Sequence, residues 1–275
     1  MTRVNVLEPD KLASLHARGT RAQKEIEILV LRHQPKVLRR QVGRPGPAPP
    51  LHLRTPSGRP QAALSARSAR MDDVPERNRV TPFGEIVAIS QRGLFMGNRG
   101  SIHRGRSIVR PWQVRRWITC RLEYKGWVAP KWEPGRWTPL FFYDEAVALA
   151  AGHRPCALCR RDDFNAWLDA WSFAFGERPR IDPIDRRLHS ERVEGRLQRR
   201  HSMPWRELPV GAFVVTYEDA PALVFEDLLV PWSPHGYGLP LERPSRGAAT
   251  MLTPPSTAEV LRNGYRPVVH RSAKP

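Results

Sequence analysis

Apolar residues recur with a helical period in one stretch near the middle of the chain. The residues concerned are Phe164, Trp167, Leu168, Trp171 and Phe175. Steps of three and four between them place all five on one face of a helix, so we predict an amphipathic helix packed on a core. Asp162 or Asp163 can cap its start, and Gly176 is placed to end it.

A shorter helix is predicted just before this one. Residues 141–143 are apolar and aromatic and indicate a strand, and Asp144 follows as an N-cap. Residues 145–151 are rich in Ala and Leu, which favour helix, and Gly152 stands where a left-handed residue ends it. A strand followed by a short helix is therefore predicted for residues 141–152.

Other apolar runs are short and typical of strands. They occupy residues 80–89, 108–109, 116–122, 211–217, 222–225, 228–232 and 265–270. We predict a Gly-rich turn at 93–100, an aromatic loop at 126–139, a polar helix over 181–192, and a last helix after Pro255. Ser256 or Thr257 would cap that last helix, and Gly264 would end it. The pattern predicts an α+β fold whose C-terminal part is a short antiparallel sheet.

Charge is unevenly distributed along the 275 residues. The chain has 45 Lys and Arg against 27 Asp and Glu, a net charge of +18, and residues 1–70 hold 14 basic and 4 acidic residues. This balance favours polyanionic partners, so we expect non-specific contact with nucleic acid. The alternative is an ordinary solvated surface, since an Arg-rich and Lys-poor composition is also typical of GC-rich coding.

Cysteine usage and hydropathy bear on the compartment. Three cysteines in 275 residues do not make a disulfide framework, so we expect a reducing, cytoplasmic setting. No apolar run approaches the roughly 20 residues that span a bilayer, so no membrane partner is expected. The run 26–31 is too short for a signal peptide and contains Glu27. Protein partners stay open.

The candidate chemistry centres on a pair of thiols between the two predicted helices. The two thiols of Cys156-x-x-Cys159 have a spacing that allows them to bind one zinc ion. Cys120, on a predicted strand, is the third thiol. We expect His103 to be the fourth ligand. His153, water or Glu123 are the alternatives, and a bound water would make the zinc catalytic rather than structural. Redox-active thiols and reduced core cysteines are the competing interpretations.

The segment 140–161 resembles the metal-binding domain of the Ada family of bacterial DNA-alkylation response proteins. The match comprises Phe141-Phe142, the Ala-rich helix ending at Gly152, and Arg154-Pro155-Cys156-x-x-Cys159-Arg160. The family takes its other two ligands from an upstream Cys pair. Here only Cys120 stands upstream, because positions 116 and 124 are Arg and Tyr. The resemblance therefore implies a metal site without the methyl-acceptor pair.

A second resemblance concerns the N-terminal part. Residues 25–45 are similar to the N-terminal segment of actinobacterial integrase-type transposases, and 25–41 is the only helical pattern in 1–70. Residues 43–70 are rich in Pro, Arg, Ser and Ala, which predicts disorder. We interpret 1–70 as a transposase remnant, or as an over-long gene start with Met71 as the true beginning. We predict a zinc-binding α+β domain at 71–178, and a basic helix with a small antiparallel region at 179–275.

A second constellation could carry catalysis. Asp185, His189, Glu191 and His201 combine carboxylates with imidazoles, which can act as a general base or bind a hydrolytic metal. Their spacing matches no metallohydrolase motif, and a solvated helix with ordinary ion pairs is the favoured explanation. A metal-dependent hydrolase or nuclease is therefore an alternative function.

Arginines surround both constellations and could bind phosphates. The candidates are Arg154, Arg160, Arg161, Arg186, Arg187, Arg192, Arg196, Arg199 and Arg200. Tryptophans in the aromatic loop, together with Tyr237, could stack on unpaired bases, or could simply cover a small sheet. The leading prediction is a zinc-binding, nucleic-acid-binding module of the DNA-repair or regulatory type. An interaction module with structural zinc alone is the third possibility.

Overall fold

The computed structural model describes residues 74–273. The helix predicted at 25–41 and the disorder predicted at 43–70 lie outside the described residues. Four α-helices are present within them: α1 Glu145–Ala150, α2 Arg161–Phe175, α3 Ile181–Arg192 and α4 Pro255–Arg262. Two short 3₁₀ helices span Trp205–Glu207 and Arg271–Ala273. None of the helices in this part of the chain is long and apolar enough to cross a bilayer.

Nineteen short strands accompany the helices. They are β1 Arg77–Val80, β2 Ile86–Ala88, β3 Phe95–Asn98, β4 His103–Arg104, β5 Ser107–Ile108, β6 Ile118–Cys120, β7 Glu123–Tyr124, β8 Trp127–Val128, β9 Leu140–Phe142, β10 Arg154–Pro155, β11 Val193–Glu194, β12 Leu197–Gln198, β13 His201–Pro204, β14 Phe213–Val215, β15 Pro221–Phe225, β16 Leu228–Ser233, β17 Gly236–Tyr237, β18 Leu241–Glu242 and β19 Ala248–Met251. Helices and largely antiparallel sheets together confirm the predicted α+β class.

Two larger sheets and three hairpins organise these strands. The first sheet has the order β10-β6-β3-β9-β1-β2, and its β10–β6 and β9–β1 pairs are parallel. The second has the order β13-β19-β14-β15-β16-β17, with β18 also paired to β16, and is antiparallel throughout. Three separate hairpins, β4–β5, β7–β8 and β11–β12, complete the architecture.

Helix α1 lies between the two sheets, and all six of its residues are buried. Ala146, Val147 and Ala150 pack with strands of the second sheet, whereas Ala148 packs with strands of the first. Apart from Glu145 the helix is apolar on all sides, and such a helix is stable only inside a protein. Asp144 caps it as predicted, because its carboxylate accepts a hydrogen bond from the Val147 amide at 2.9 Å.

The main hydrophobic core crosses the domain boundary predicted at 178/179. Trp167 and Trp171 of α2, from the predicted stripe, pack there with Leu188 of α3 and Val214 of β14. Helix α2 ends at Gly176 with φ 76°, as the sequence indicated. The two predicted domains thus share one core.

Several predicted elements differ in the structure, among them the following. The strand predicted at 80–89 is two antiparallel strands, β1 and β2, with Gly84 between them at φ 75°. The turn predicted at 93–100 contains strand β3, whose Gly97 lets β6 approach closely: a Cβ there would meet the Ile118 carbonyl oxygen at 2.0 Å. The strand predicted at 265–270 is absent, because the amides of Val268 and His270 donate to carboxylates instead of a neighbouring strand.

Candidate metal centre and arginine cavity

Strand pairing brings the three cysteines together. Strands β6 and β10 run parallel, and the Cys156 amide donates to the Thr119 carbonyl at 2.9 Å, which places Cys156 beside Cys120. The chain then turns, and the Arg160 amide donates to the Cys156 carbonyl at 3.2 Å, which brings back Cys159. All three side chains are buried, and their sulfur atoms lie within 4.8 Å of one another.

The thiol group has the chemistry of a soft-metal site. Zinc–thiolate bonds of about 2.3 Å in tetrahedral geometry separate the sulfurs by about 3.8 Å, which the observed grouping accommodates. The neighbouring thiols of Cys120 and Cys159 lower the pKa of Cys156, while the Cys156 and Cys159 thiols and burial raise the pKa of Cys120 well above its usual value. The Leu158 amide also donates to the Cys156 sulfur at 3.4 Å. The group already favours a thiolate.

The structure does not bring His103 or the alternative ligands to the thiols. Within residues 74–273, no His, Asp or Glu joins the three cysteines. The Nδ1 atom of His103 lies 2.6 Å from the Thr138 hydroxyl, and its ring packs edge-on against Trp132. His153 is buried between Trp117 and Phe142, and Glu123 is exposed on β7.

The predicted catalytic constellation is not assembled. Asp185 accepts two hydrogen bonds of 2.8 Å from Arg154 in a bidentate pair. The carboxylate of Glu191 accepts from the Ser256 amide at 2.9 Å and from its hydroxyl, so Glu191 caps α4 in place of the predicted Ser256 side chain.

The two histidines of that constellation are also used structurally. His201 Nε2 lies 2.8 Å from the Glu191 carbonyl oxygen, and His189 packs against Trp112 and Trp117. Burial and the neighbouring arginines lower the pKa of His189 to about 4, so it is neutral at pH 7. In the described residues, none of these four side chains forms a metal-capable group with two others. The structure therefore gives the hydrolase alternative no geometric support.

The nine candidate phosphate-binding arginines fall into two groups. Arg154, Arg160 and Arg192 are buried. Arg154 pairs with Asp185, and Arg160 reaches Glu145 at 2.8 Å, so both serve the fold. The other six are exposed: Arg161, Arg186, Arg187, Arg196, Arg199 and Arg200.

Part of the exposed group borders a cavity that the sequence did not indicate. The cavity has a volume of about 730 Å³, within the range of ligand sites. We call it the arginine cavity, because its lining includes Arg77, Arg99, Arg110, Arg192, Arg196 and Arg200. Glu85 and Asp219 are its only acidic lining residues, and neither lies within 4.0 Å of a lining arginine nitrogen in the described structure. The cavity therefore has an excess of positive charge.

Two of these cations are buried at the cavity floor. Arg99 and Arg192 are each 2% exposed, and their guanidinium carbons lie 4.1 and 4.0 Å from the centre of the Trp117 ring. Arg99 donates to the Gly84 carbonyl at 2.9 Å and lies 3.3 Å from His153 Nε2, whereas Arg192 donates to backbone carbonyls. Burial lowers the pKa of Arg99 to about 9 and that of Arg192 well below its usual value. Keeping both groups charged at this position therefore costs free energy.

The hairpins β4–β5 and β11–β12 contribute to the cavity wall. Ile108 comes from the first, and Arg196 and Leu197 come from the second. Gly195 has φ 61° and begins the two-residue loop that carries Arg196, a conformation that glycine adopts without strain.

Compared with family models, curated proteins and solved structures, the chain matches none. The thiol group and the arginine cavity are therefore the features of this chain that bear on its function. Sequence reasoning missed Arg77, Arg99, Arg110 and the floor indole Trp117. These residues lie far apart along the chain in unremarkable surroundings, and only the fold brings them together.

Proposed function

We propose that this protein is a zinc-stabilised module that binds nucleic acid without sequence preference. The observation that carries the proposal is a set of exposed arginines, of which Arg196 and Arg200 line the arginine cavity. Arg196, Arg199 and Arg200 follow one another closely, and among the described residues no carboxylate oxygen lies within 4.0 Å of their charged nitrogens. We call these three the rim arginines.

Phosphodiester groups are the ligands best suited to the rim arginines. A guanidinium forms bidentate hydrogen bonds with phosphate oxygens, and each contact releases counterions from the nucleic acid. Contacts of this kind position a backbone without reading bases. Non-specific affinities of roughly 10⁻⁴ to 10⁻⁶ M at physiological salt are expected.

Zinc is the metal best suited to the three thiols. Soft thiolate ligands select zinc among the common divalent ions, and zinc holds such sites in tetrahedral geometry. Cys120, Cys156 and Cys159 would provide three of its ligands. The metal would join β6, β10 and the start of α2. The resemblance of 140–161 to the Ada-type domain supports this proposal and suggests DNA repair or regulation as its setting.

The experiment replaces all three rim arginines with glutamine. A fluorescent single-stranded oligodeoxynucleotide is titrated with each protein at several salt concentrations. We expect the wild-type affinity to fall linearly with salt on logarithmic axes. The variant should bind more weakly, and its slope should be smaller by about two units, since each phosphate contact contributes about 0.7.

A matched control tests whether the loss of any three exposed arginines weakens binding to the same extent. Arg92, Arg206 and Arg246 are also exposed and do not line the arginine cavity. Their triple glutamine variant has the same net charge as the rim variant and should keep the wild-type slope. Equal losses in the two variants, or no wild-type binding even at low salt, would contradict the proposal.

A further inference from the structure

The floor of the arginine cavity differs from its rim in one chemical respect. Arg99 and Arg192 are buried cations, and no carboxylate oxygen of the described residues lies within 4.0 Å of them. Buried charges in proteins are normally paired, because an uncompensated charge loses its hydration without replacement. Both guanidinium groups lie against Trp117, and both residues line the arginine cavity.

Specific hydrogen-bonding atoms at this floor have no partner. The Nη2 atom of Arg99, the Nε atom of Arg192 and the Oε1 atom of Gln198 are buried without one. Gly84 also lines the cavity, and a Cβ added there would lie 3.7 Å from Arg99 Nη2. The unpartnered Nη2 thus lies beside another lining residue of the cavity. Native proteins leave few such groups unpaired, so a ligand that completes them is indicated.

The orientation of the Gln198 amide is fixed by its other contacts. Its Nε2 atom donates to the carbonyls of Pro82 and Ala150 at 3.0 and 2.8 Å, so the oxygen must point elsewhere. The unpartnered Oε1 is an acceptor that a donor group of a ligand can complete. Inorganic phosphate at pH 7 is mainly an acceptor, whereas a sugar hydroxyl or a base amino group can donate.

We infer that the arginine cavity binds the phosphate monoester of a nucleotide, either a free nucleotide or the phosphorylated end of a strand. A monoester carries nearly two negative charges at pH 7, which match the two buried cations, whereas a phosphodiester carries one. Gln198 Oε1 accepts from the sugar or the base. Trp112, half-buried in the cavity lining, offers a face on which a base can stack. The strand-end source rests on the proposed function, and the free-nucleotide source does not.

The test compares ligands on the wild-type protein, so it does not depend on whether a floor variant folds. Calorimetry measures binding of deoxyadenosine 5′-monophosphate, deoxyadenosine and inorganic phosphate. Competition measures a short oligonucleotide with a 5′-phosphate against the same oligonucleotide with a 5′-hydroxyl. We expect the terminal phosphate to raise affinity about 10- to 100-fold in at least one of two comparisons. These are the monophosphate against deoxyadenosine, and the 5′-phosphate oligonucleotide against the 5′-hydroxyl oligonucleotide.

Three variants test which residues recognise the terminal phosphate and the base. In Arg99→Gln the ratio of the affinities with and without the terminal phosphate should fall toward one, and in Arg92→Gln it should stay at the wild-type value. Trp112→Ala should weaken binding of the monophosphate and leave inorganic phosphate unchanged. Thermal melting shows whether each variant is folded.

The outcomes separate this inference from the proposed function. If the terminal phosphate changes neither affinity, the inference is overturned, and salt-dependent binding of the 5′-hydroxyl oligonucleotide still supports the proposed function. If the monophosphate binds and neither oligonucleotide does, the inference holds with a free nucleotide as the ligand of the cavity. The proposed binding of nucleic acid is then refuted.

Discussion

At the scale of single residues, two imidazoles with lowered pKa values contribute to how the protein responds to acid. Burial and nearby arginines hold the pKa of His153 well below 6.5 and that of His189 at about 4. A histidine with a depressed pKa in the folded state binds protons more readily when unfolded. Its stabilisation is complete above the unfolded pKa of about 6.5 and is lost as the pH falls. These two histidines should therefore lower the free energy of unfolding as the pH falls from 6.5 to 4.

We predict that His189→Gln makes this decrease shallower. The variant removes one titrating group but keeps a polar side chain beside Arg192, whose Nη2 lies 3.3 Å from His189 Nδ1. Urea denaturation of both proteins at several pH values in this window gives the difference directly. Parallel pH profiles for the two proteins would show that His189 does not contribute.

A second prediction at this scale concerns the buried ion pair of Arg154 and Asp185. Both side chains are almost fully buried, so Asp185→Asn leaves a buried cation without compensation and should cost about 3 to 5 kcal/mol. Asp182→Asn is the control on the same helix. Its carboxylate is 79% exposed, so the change should stay within about 0.5 kcal/mol. Equal effects in urea denaturation would refute the structural role given to Asp185.

At the scale of elements, the sequence predicted helices well and sheet partners poorly. The stripe of α2, the Asp144 cap and the span of α3 are local signals, and the structure reproduces them. Strand pairing is non-local, so nothing in residues 93–100 showed that β3 lies centrally between β6 and β9. The amides of Val268 and His270 donate to the carboxylates of Glu145 and Asp144, which a β-pattern cannot reveal.

Gly97 provides the prediction at the scale of elements. A Cβ at this position would lie 2.0 Å from the Ile118 carbonyl oxygen, a backbone atom of the strand that carries Cys120. Gly97→Ala should therefore force β3 and β6 apart and cost about 3 kcal/mol or more in urea denaturation. The control is Gly238→Ala, since the nearest atom there is 3.8 Å away. A neutral Gly97→Ala would contradict the described β3–β6 pairing.

At the scale of the whole molecule, one candidate site could be predicted from the sequence and the other could not. The Cys-x-x-Cys spacing pointed to a metal, and Cys120 was the only other thiol, so the thiol group could be predicted. The arginine cavity could not, because its lining residues come from positions 77 to 219 and share no motif. His103 was predicted beside the thiols from type alone, and the fold directs it to Thr138.

A zinc ion bound by the three thiols would connect β6, β10 and the start of α2 in one place. The most direct test is elemental analysis of the full-length protein purified without chelators, alongside Cys156→Ser. We expect one zinc per wild-type chain and none in the variant, with a lower melting temperature for the variant. A wild-type protein free of metal, with three thiols that react freely with a thiol reagent, would contradict the account.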